Sequence, residues 1–249
     1  MTRRLVAPAV LVAMLAASVL VTPEKRSLTD ADQIRARRRV IGRSVRGRPI
    51  RAYRIGDRSS PHTVLVVGCI HGNECAGRAI LTALRDMAPF NDLDLWLVYS
   101  MNPDGRAAGT RQNARGVDLN RNFRRKWRPI GEPWDTYHSG SRPFSEPESR
   151  AARDFLREIE PEITIWYHQA MAIVVRVRHR RPIQRRYARA VGLPLRDIGF
   201  LPGTATRWQN HVWRKRLAFV VELPGGSLSR RAARRHARAV VDIGRILPR

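Results

Sequence analysis

A histidine and a glutamate stand three residues apart, in His71-Gly-Asn-Glu74, directly after a short apolar run that ends at Gly68. Imidazole nitrogens and carboxylate oxygens are ligands that zinc prefers, and this spacing allows both to chelate one ion. The pair alone is a weak signal, because a His and a Glu at this spacing often occur by chance. His168 follows a second apolar run and completes a candidate set of three. Three protein ligands leave one position for water, which is typical of catalytic zinc sites.

A fourth candidate, Glu222, closes the apolar run of residues 217–223. A carboxylate at the end of an apolar strand is either costly to bury or functional. Next to a metal-bound water it could accept a proton, which makes Glu222 a candidate general base. The alternative is that Glu222 only pairs with one of the many arginines of the chain.

Cys69 and Cys75 are the two cysteines of the chain, and they flank the histidine and glutamate motif. In an oxidising compartment they could form a local disulfide that braces this segment. They could equally be two small buried thiols that pack beside the site. A cysteine ligand to zinc is less favoured, because better ligands are close by.

The surrounding pattern predicts strands that alternate with helices. We expect a hairpin in residues 40–53, strands in 63–67, 93–101, 163–167 and 217–223, a turn at 102–105, and helices in 27–39, 77–87, from 146 onward, 187–191 and 229–246. This order indicates the α/β class, a three-layer sandwich with a central mixed sheet flanked by helices. The candidate residues fall where strands end, which is where functional groups gather in such sheets.

The N-terminus predicts an export signal. Thr2-Arg3-Arg4 is positively charged, and residues 5–21 are apolar without a charge. We therefore divide the chain into residues 1–26, a signal peptide or a retained membrane anchor, and residues 27–249, one catalytic domain. The expected location is secreted or associated with the cell envelope.

The net charge of +26 comes almost entirely from arginine, since the chain contains three lysines. The arginines are spread along the chain and are not interleaved with aromatic residues, which disfavours specific nucleic-acid binding. Most are expected to be solvated, although such a positive field attracts anionic cell-wall polymers nonspecifically. The sequence indicates no partner protein.

Six motifs in order resemble those of the zinc carboxypeptidase family, and within it a bacterial branch of murein peptide amidases. They are His71-Gly-Asn-Glu74, Asn102-Pro-Asp-Gly105, Thr110-Arg111, Gly116-Val-Asp-Leu-Asn-Arg-Asn-Phe123, Trp166-Tyr-His-Gln169 and Val220-Val-Glu-Leu-Pro224. The resemblance spans roughly residue 41 to the C-terminus. An ordered set of this kind is far more specific than any one motif.

The resemblance implies a role for each candidate residue. His71, Glu74 and His168 would bind Zn²⁺, and Glu222 would be the general base. Arg111 would stabilise the negative oxygen of the scissile carbonyl group.

Three further residues receive roles from the same resemblance. Asn120 and Arg121 would hold a free carboxylate of the substrate, since the planar guanidinium group forms a paired hydrogen bond with it. Asp118 would orient His71 by accepting its other ring N–H.

Two features depart from the family pattern. No tyrosine occurs between Gly199 and Trp213, where the carboxypeptidases of the family place one near the leaving group. Residues 171–182 are apolar and then strongly basic, whereas the related amidases carry an acidic loop. We expect this segment to border the substrate pocket, so it bears on the choice of substrate.

The leading hypothesis is a zinc-dependent amidase that acts on a cell-wall peptide or peptidoglycan fragment. A metallocarboxypeptidase that removes C-terminal residues would use the same catalytic groups. An N-acyl amino acid deacylase and a non-catalytic polyanion-binding protein are the more distant alternatives. Competent residues at all the candidate positions count against the last of these.

Overall fold

A computed structural model describes residues 38–178 and 181–246. Within this part of the chain, eight strands form one sheet in the order β1-β2-β4-β3-β5-β8-β6-β7. The strands are β1 (Arg38–Arg43), β2 (Pro49–Arg54), β3 (Thr63–Val67), β4 (Asp94–Val98), β5 (Ile163–Gln169), β6 (Ile173–Val175), β7 (Leu195–Arg196) and β8 (Leu217–Leu223). The predicted hairpin is confirmed as β1 and β2, which pair antiparallel.

The central strands β4, β3, β5 and β8 run parallel to one another. Their residues are buried on both faces, which explains why the sequence shows continuous apolar runs there instead of alternation. The β2 strand pairs antiparallel with β4, and β6 pairs antiparallel with β8. The predicted mixed sheet is therefore confirmed.

Helices cover both faces of the sheet. They are α1 (Gly77–Asp86), α2 (Pro103–Ala108), α3 (Pro147–Ile159), α4 (Arg181–Val191), α5 (Ala205–Val212) and α6 (Arg230–Arg245). One apolar core lies between the sheet and α1, α4 and α6, and a second lies between the sheet and α3 and α5. The three-layer sandwich is thus confirmed, and in the described ranges no helix has the length and apolar character needed to cross a bilayer.

Several local predictions need correction. Residues 102–105 begin helix α2, where the Asn102 side chain accepts a hydrogen bond from the Gly105 amide at 2.8 Å. Proline at the first helical position favours this start as well as a turn. The strand predicted at 93–101 is shorter, and His168 lies inside β5 instead of after it. The short strands β6 and β7 and the helix α5 were not predicted.

The N-terminal predictions fall mostly outside the described residues. The signal or anchor at 1–26 and the helix at 27–37 cannot be compared with the structure. Arg38 and Arg39 belong to strand β1, so the helix predicted for 27–39 is wrong for these two residues.

Candidate active site

Three candidate ligands meet at the carboxyl edge of the central strands, and we call His71, Glu74 and His168 the ligand cluster. Glu74 Oε2 lies 2.9 Å from His71 Nδ1 and 3.0 Å from His168 Nδ1. The two Nδ1 atoms lie 3.2 Å apart. Neighbouring ligands of a tetrahedral zinc ion are separated by about 3.3 Å, so this donor set fits zinc.

The segment that carries His71 and Glu74 is held in place by close contacts. Cys69 and Cys75 form a disulfide across it, with their Cα atoms 4.9 Å apart. A Cβ atom at Gly72 would lie 2.0 Å from the carbonyl carbon of Gly105, so a side chain does not fit there. The segment is therefore held in place by its own disulfide and by its contact with helix α2.

Asp118 connects His71 to Arg111. Its Oδ1 atom lies 2.8 Å from His71 Nε2, and its Oδ2 atom accepts a hydrogen bond from Arg111 Nη2 at 3.0 Å. The side chain is fully buried. Burial alone would raise the pKa of Asp118, but the charge and hydrogen bond of His71 and the charge of Arg111 lower it well below its usual range. Asp118 is thus an anion that can fix the orientation of the His71 ring.

Glu74 and His168 are held in the protonation states in which carboxylates and imidazoles bind metal ions. Burial opposes ionisation of Glu74, but its hydrogen bonds to His168 and His71 hold the pKa well below normal. Burial lowers the pKa of His168 to about 4. At neutral pH a carboxylate therefore faces a neutral imidazole, and these are the forms that bind a metal ion.

Arg111 lies at the edge of the same cluster. Its Nη1 atom donates a hydrogen bond to Glu74 Oε1 at 2.6 Å, and the side chain stays about one-fifth exposed. The cation therefore combines fixed anionic partners with access to solvent. This is what a group that stabilises charge on a bound substrate requires.

Glu222 is placed next to His168 by the sheet, because the two are directly paired residues of the parallel strands β5 and β8. Its Oε2 atom is buried and has no hydrogen-bond partner among the residues described. Burial, reinforced by the charge of Glu74, raises the pKa of Glu222 to about 7. A carboxyl group with this pKa can both accept and return a proton near neutral pH.

Asn120 and Arg121 follow Asp118 in a single turn of 3₁₀ helix. Arg121 is 4% exposed, and its Nη1 atom donates a hydrogen bond to the Asn120 carbonyl oxygen at 2.8 Å. The Asn120 side-chain oxygen accepts the amide of Ala205 at the start of α5. A buried guanidinium group is therefore positioned one short turn away from the aspartate that contacts the ligand cluster.

The sequence did not single out Tyr137. Its aromatic ring lies over two arginines, with the centroid 4.7 Å from Arg121 Cζ and 5.6 Å from Arg111 Cζ. The side chain is about half exposed, so it lies at the surface beside these arginines. Residues 199–213, where the family tyrosine is missing, contribute α5 instead. No periodicity could have identified Tyr137, because it lies in a loop.

The apolar part of residues 171–182 serves the sheet. It forms β6, in which Ile173 pairs with Glu222 of β8 and Val174 is fully buried. Met171 is exposed at the start of the segment. The strand therefore lies beside the candidate base, and Val174 belongs to the apolar core.

Comparison with known proteins identifies the class. Residues 26–179 match the zinc carboxypeptidase (peptidase M14) family, which is more than half of the chain. The chain belongs to this family of zinc-dependent metallopeptidases, and its donor set fits the zinc ion that the family uses.

Three relatives refine this assignment. Murein peptide amidase A of Escherichia coli strain K12 is 32% identical over 181 residues, which cover 67% of this chain and 74% of the relative. The crystal structure of murein-tripeptide amidase MpaA from Escherichia coli O157 is 28% identical, with a TM-score of 0.68, and the match covers 85% of this chain and 93% of that one. Human carboxypeptidase A6 is 32% identical over 148 residues, which cover 47% of this chain and 34% of the relative.

Proposed function

We propose that the protein is a murein peptide amidase, which hydrolyses an amide bond next to a free carboxylate in cell-wall peptides. The observation that carries the hydrolytic chemistry is Glu222, a carboxyl group with a buried and unpartnered oxygen beside the ligand cluster. The likeness to the murein peptide amidases favours the amidase, since it extends over most of both chains.

In this proposal His71, Glu74 and His168 hold the zinc ion. When bound, zinc supplies a Lewis acid and lowers the pKa of water at the site. Glu222 accepts a proton from the attacking water and then passes it to the leaving amine. Its pKa of about 7 suits both steps, because near neutral pH the carboxyl group can either take up or release a proton.

Two arginines act on the substrate. Arg111 stabilises the negative charge that develops on the scissile carbonyl oxygen, for which its partial exposure gives access. Arg121 binds the free carboxylate of the substrate, together with the Asn120 side chain. Tyr137 lies against both guanidinium groups and limits how they can turn. Asp118 keeps His71 in the orientation that its Nδ1 atom needs for zinc.

A metallocarboxypeptidase that acts on ordinary peptides is the second candidate, and the likeness to carboxypeptidase A6 favours it. Both activities use the same metal site and base. They differ in what surrounds the carboxylate, since the murein peptide carries a γ-linked D-glutamate and a diaminopimelate-like residue.

Hydrolysis of two substrate sets by the zinc-loaded protein, followed by mass spectrometry, tests the proposal. The first is L-Ala-γ-D-Glu-diaminopimelate, and the second is a panel of peptides with different C-terminal residues. Release of diaminopimelate supports the amidase. Cleavage of only the ordinary peptides replaces it with the carboxypeptidase. No cleavage in either set, despite bound zinc, contradicts both and leaves a deacylase or a binding protein.

We also propose that the protein acts outside the cytoplasm, where anionic cell-wall polymers are its surroundings. The charged start and the apolar run of residues 5–21 support export. The disulfide between Cys69 and Cys75 supports it independently, because such bonds persist in oxidising compartments. Fractionation of the producing cells, with N-terminal sequencing of the recovered protein, tests this. Recovery of the full-length chain from the cytoplasm alone contradicts it.

A further inference from the structure

A second charged site adjoins the segment that carries His71 and Glu74. It is a cleft of about 310 Å³ that draws its walls from β2, α1, the end of β4 and α2. We call it the arginine cleft, because its charged lining consists of Arg51, Arg78, Arg85 and Arg106. Tyr53 and Tyr99 form the aromatic part of the wall, with their ring centroids 5.5 Å apart.

The four arginines have no anionic partner within the described ranges. None of them forms an ion pair, whereas the arginines around the ligand cluster do. Asp104 is the buried acid of helix α2, and it is taken up by Arg48 at 2.7 Å and by the backbone amide of Arg46. The exposed Asp86 acts electrostatically on Tyr99 but does not line the cleft. Like charges therefore face one another without compensation.

Arg78 shows this most clearly. Its Nε atom is buried and has no hydrogen-bond partner in the described part of the chain. Its Cζ atom lies 5.9 Å from the centre of the Tyr99 ring, which limits where the guanidinium group can turn. Burial, with the charge of Arg106, also lowers the pKa of Arg78. A buried donor without an acceptor costs free energy, so an acceptor supplied by a ligand would relieve it.

We propose that the arginine cleft binds a phosphate group. A single carboxylate would offset only one of the four positive charges. A phosphate monoester carries a charge of about −1.5 to −2 at neutral pH and offers three acceptor oxygens, which suits several guanidinium groups at once. The proposal does not depend on the amidase reaction. The phosphate group can belong to a free phosphate ester or to a phosphate-containing polymer.

The arginine cleft and the ligand cluster have no side chain in common, but two arginines of the cleft lie against the backbone near His71 and Glu74. A Cβ atom at Gly68 would lie 3.3 Å from Arg78 Cγ, and one at Gly72 would lie 2.2 Å from the Arg106 amide. Arg78 and Arg106 thus pack against the segment that carries the two ligands. A substitution in the cleft that keeps the backbone in place leaves the catalytic residues untouched.

Isothermal titration calorimetry on the zinc-loaded full chain at low ionic strength tests the proposal. The probes are inorganic phosphate, glycerol 3-phosphate, a poly(glycerol phosphate) oligomer, and succinate as a carboxylate of similar charge. The test variant is Arg51→Gln with Arg106→Gln, both exposed, so that folding is preserved. The matched control is Arg234→Gln with Arg238→Gln on α6, which removes the same charge elsewhere.

We expect the cleft variant to bind phosphate at least about tenfold more weakly than the native protein, and the control to change by less than about twofold. Binding of the free esters identifies a small ligand, and much tighter binding of the oligomer identifies a polymer. Either result supports the proposal when the cleft variant shows the weaker binding stated above. Equal loss in the two variants, equally tight binding of succinate, or no binding of any phosphate probe by the native protein overturns it. Amidase turnover is not needed for any of these measurements.

Discussion

The ligand cluster and the arginine cleft both adjoin residues 68–76, yet they balance charge differently. Around the ligand cluster the arginine is paired with acids, since Arg111 contacts both Glu74 and Asp118. In the arginine cleft, cations face cations. Paired charges within the protein hold side chains in a fixed geometry before a ligand arrives. Unpaired cations instead favour the binding of a negatively charged ligand.

We expect the largest effect on zinc binding and hydrolysis from the loss of one metal ligand. His168→Ala removes one of the three donors, so zinc should be lost and hydrolysis should fall to background. Metal analysis and turnover measure both, and added zinc should restore the chelator-treated native protein but not the variant. A variant that keeps its zinc and its turnover contradicts the assignment of the ligand cluster.

The support from Asp118 should matter less than a ligand itself. Asp118→Asn weakens the hydrogen bond to His71 and leaves Arg111 with one anionic partner, and we expect zinc affinity to fall about 10- to 100-fold. Competition with a chelator measures this. Asp104→Asn, which neutralises another buried acid, is the matched control and should bind zinc normally. Equal affinity in the native protein and in Asp118→Asn would show that the contact does not support the metal site.

A third cluster, which consists of Tyr167, Tyr187 and His236, is buried and carries no charge at neutral pH. The hydroxyl groups of Tyr167 and Tyr187 lie 2.7 Å apart, and Tyr187 lies 2.8 Å from His236 Nδ1. Burial lowers the pKa of His236 to about 4, below its ordinary value of 6.5. The unfolded chain therefore binds the proton first as the pH falls. This contribution to stability is complete above about pH 6.5 and is lost between there and pH 4.

The unfolding free energy should accordingly drop by about 1–3 kcal/mol from this group when the pH falls from 7 to 4. His236→Gln removes the titration and keeps an acceptor for Tyr187. Denaturant unfolding at several pH values should therefore show a shallower pH dependence in the variant. Identical slopes would mean that His236 is protonated or solvated in the folded state.

The smallest effect concerns the cleft itself. Arg51→Gln with Arg106→Gln relieves repulsion, so in phosphate-free buffer at low salt the protein should gain about 0.5 kcal/mol of stability. The gain should disappear in 1 M salt because the charges are screened. Arg186→Gln, which removes an arginine paired with Asp242, should give no gain. A loss of stability in the cleft variant would show that its arginines have stabilising partners.

The candidate ligands could be picked out from the sequence because they lie in or directly after apolar strands. The apolar runs before His71 and up to Glu222 are continuous, since both faces of β3 and β8 are buried. Arg111, Asp118, Asn120 and Arg121 have no such pattern and were found through family resemblance. The structure now brings them together, but the resemblance alone assigned their roles.

Other features could not be predicted, for identifiable physical reasons. Strands β6 and β7 contain three and two residues, too few to show a period. Tyr137 reaches the site from an exposed loop, whose position is set by tertiary contacts. The arginine cleft combines residues from four separate elements, and in a chain so rich in arginine nothing local distinguishes them from solvated residues.

The most direct test of the account is Glu222→Gln, because the proposed chemistry depends on this one carboxyl group. The two proteins should be compared at equal zinc content, with kcat for release of diaminopimelate from L-Ala-γ-D-Glu-diaminopimelate as the measurement. We predict a decrease of about 10²- to 10⁴-fold with unchanged zinc affinity. A variant that retains the native kcat would contradict the role of Glu222 as the general base.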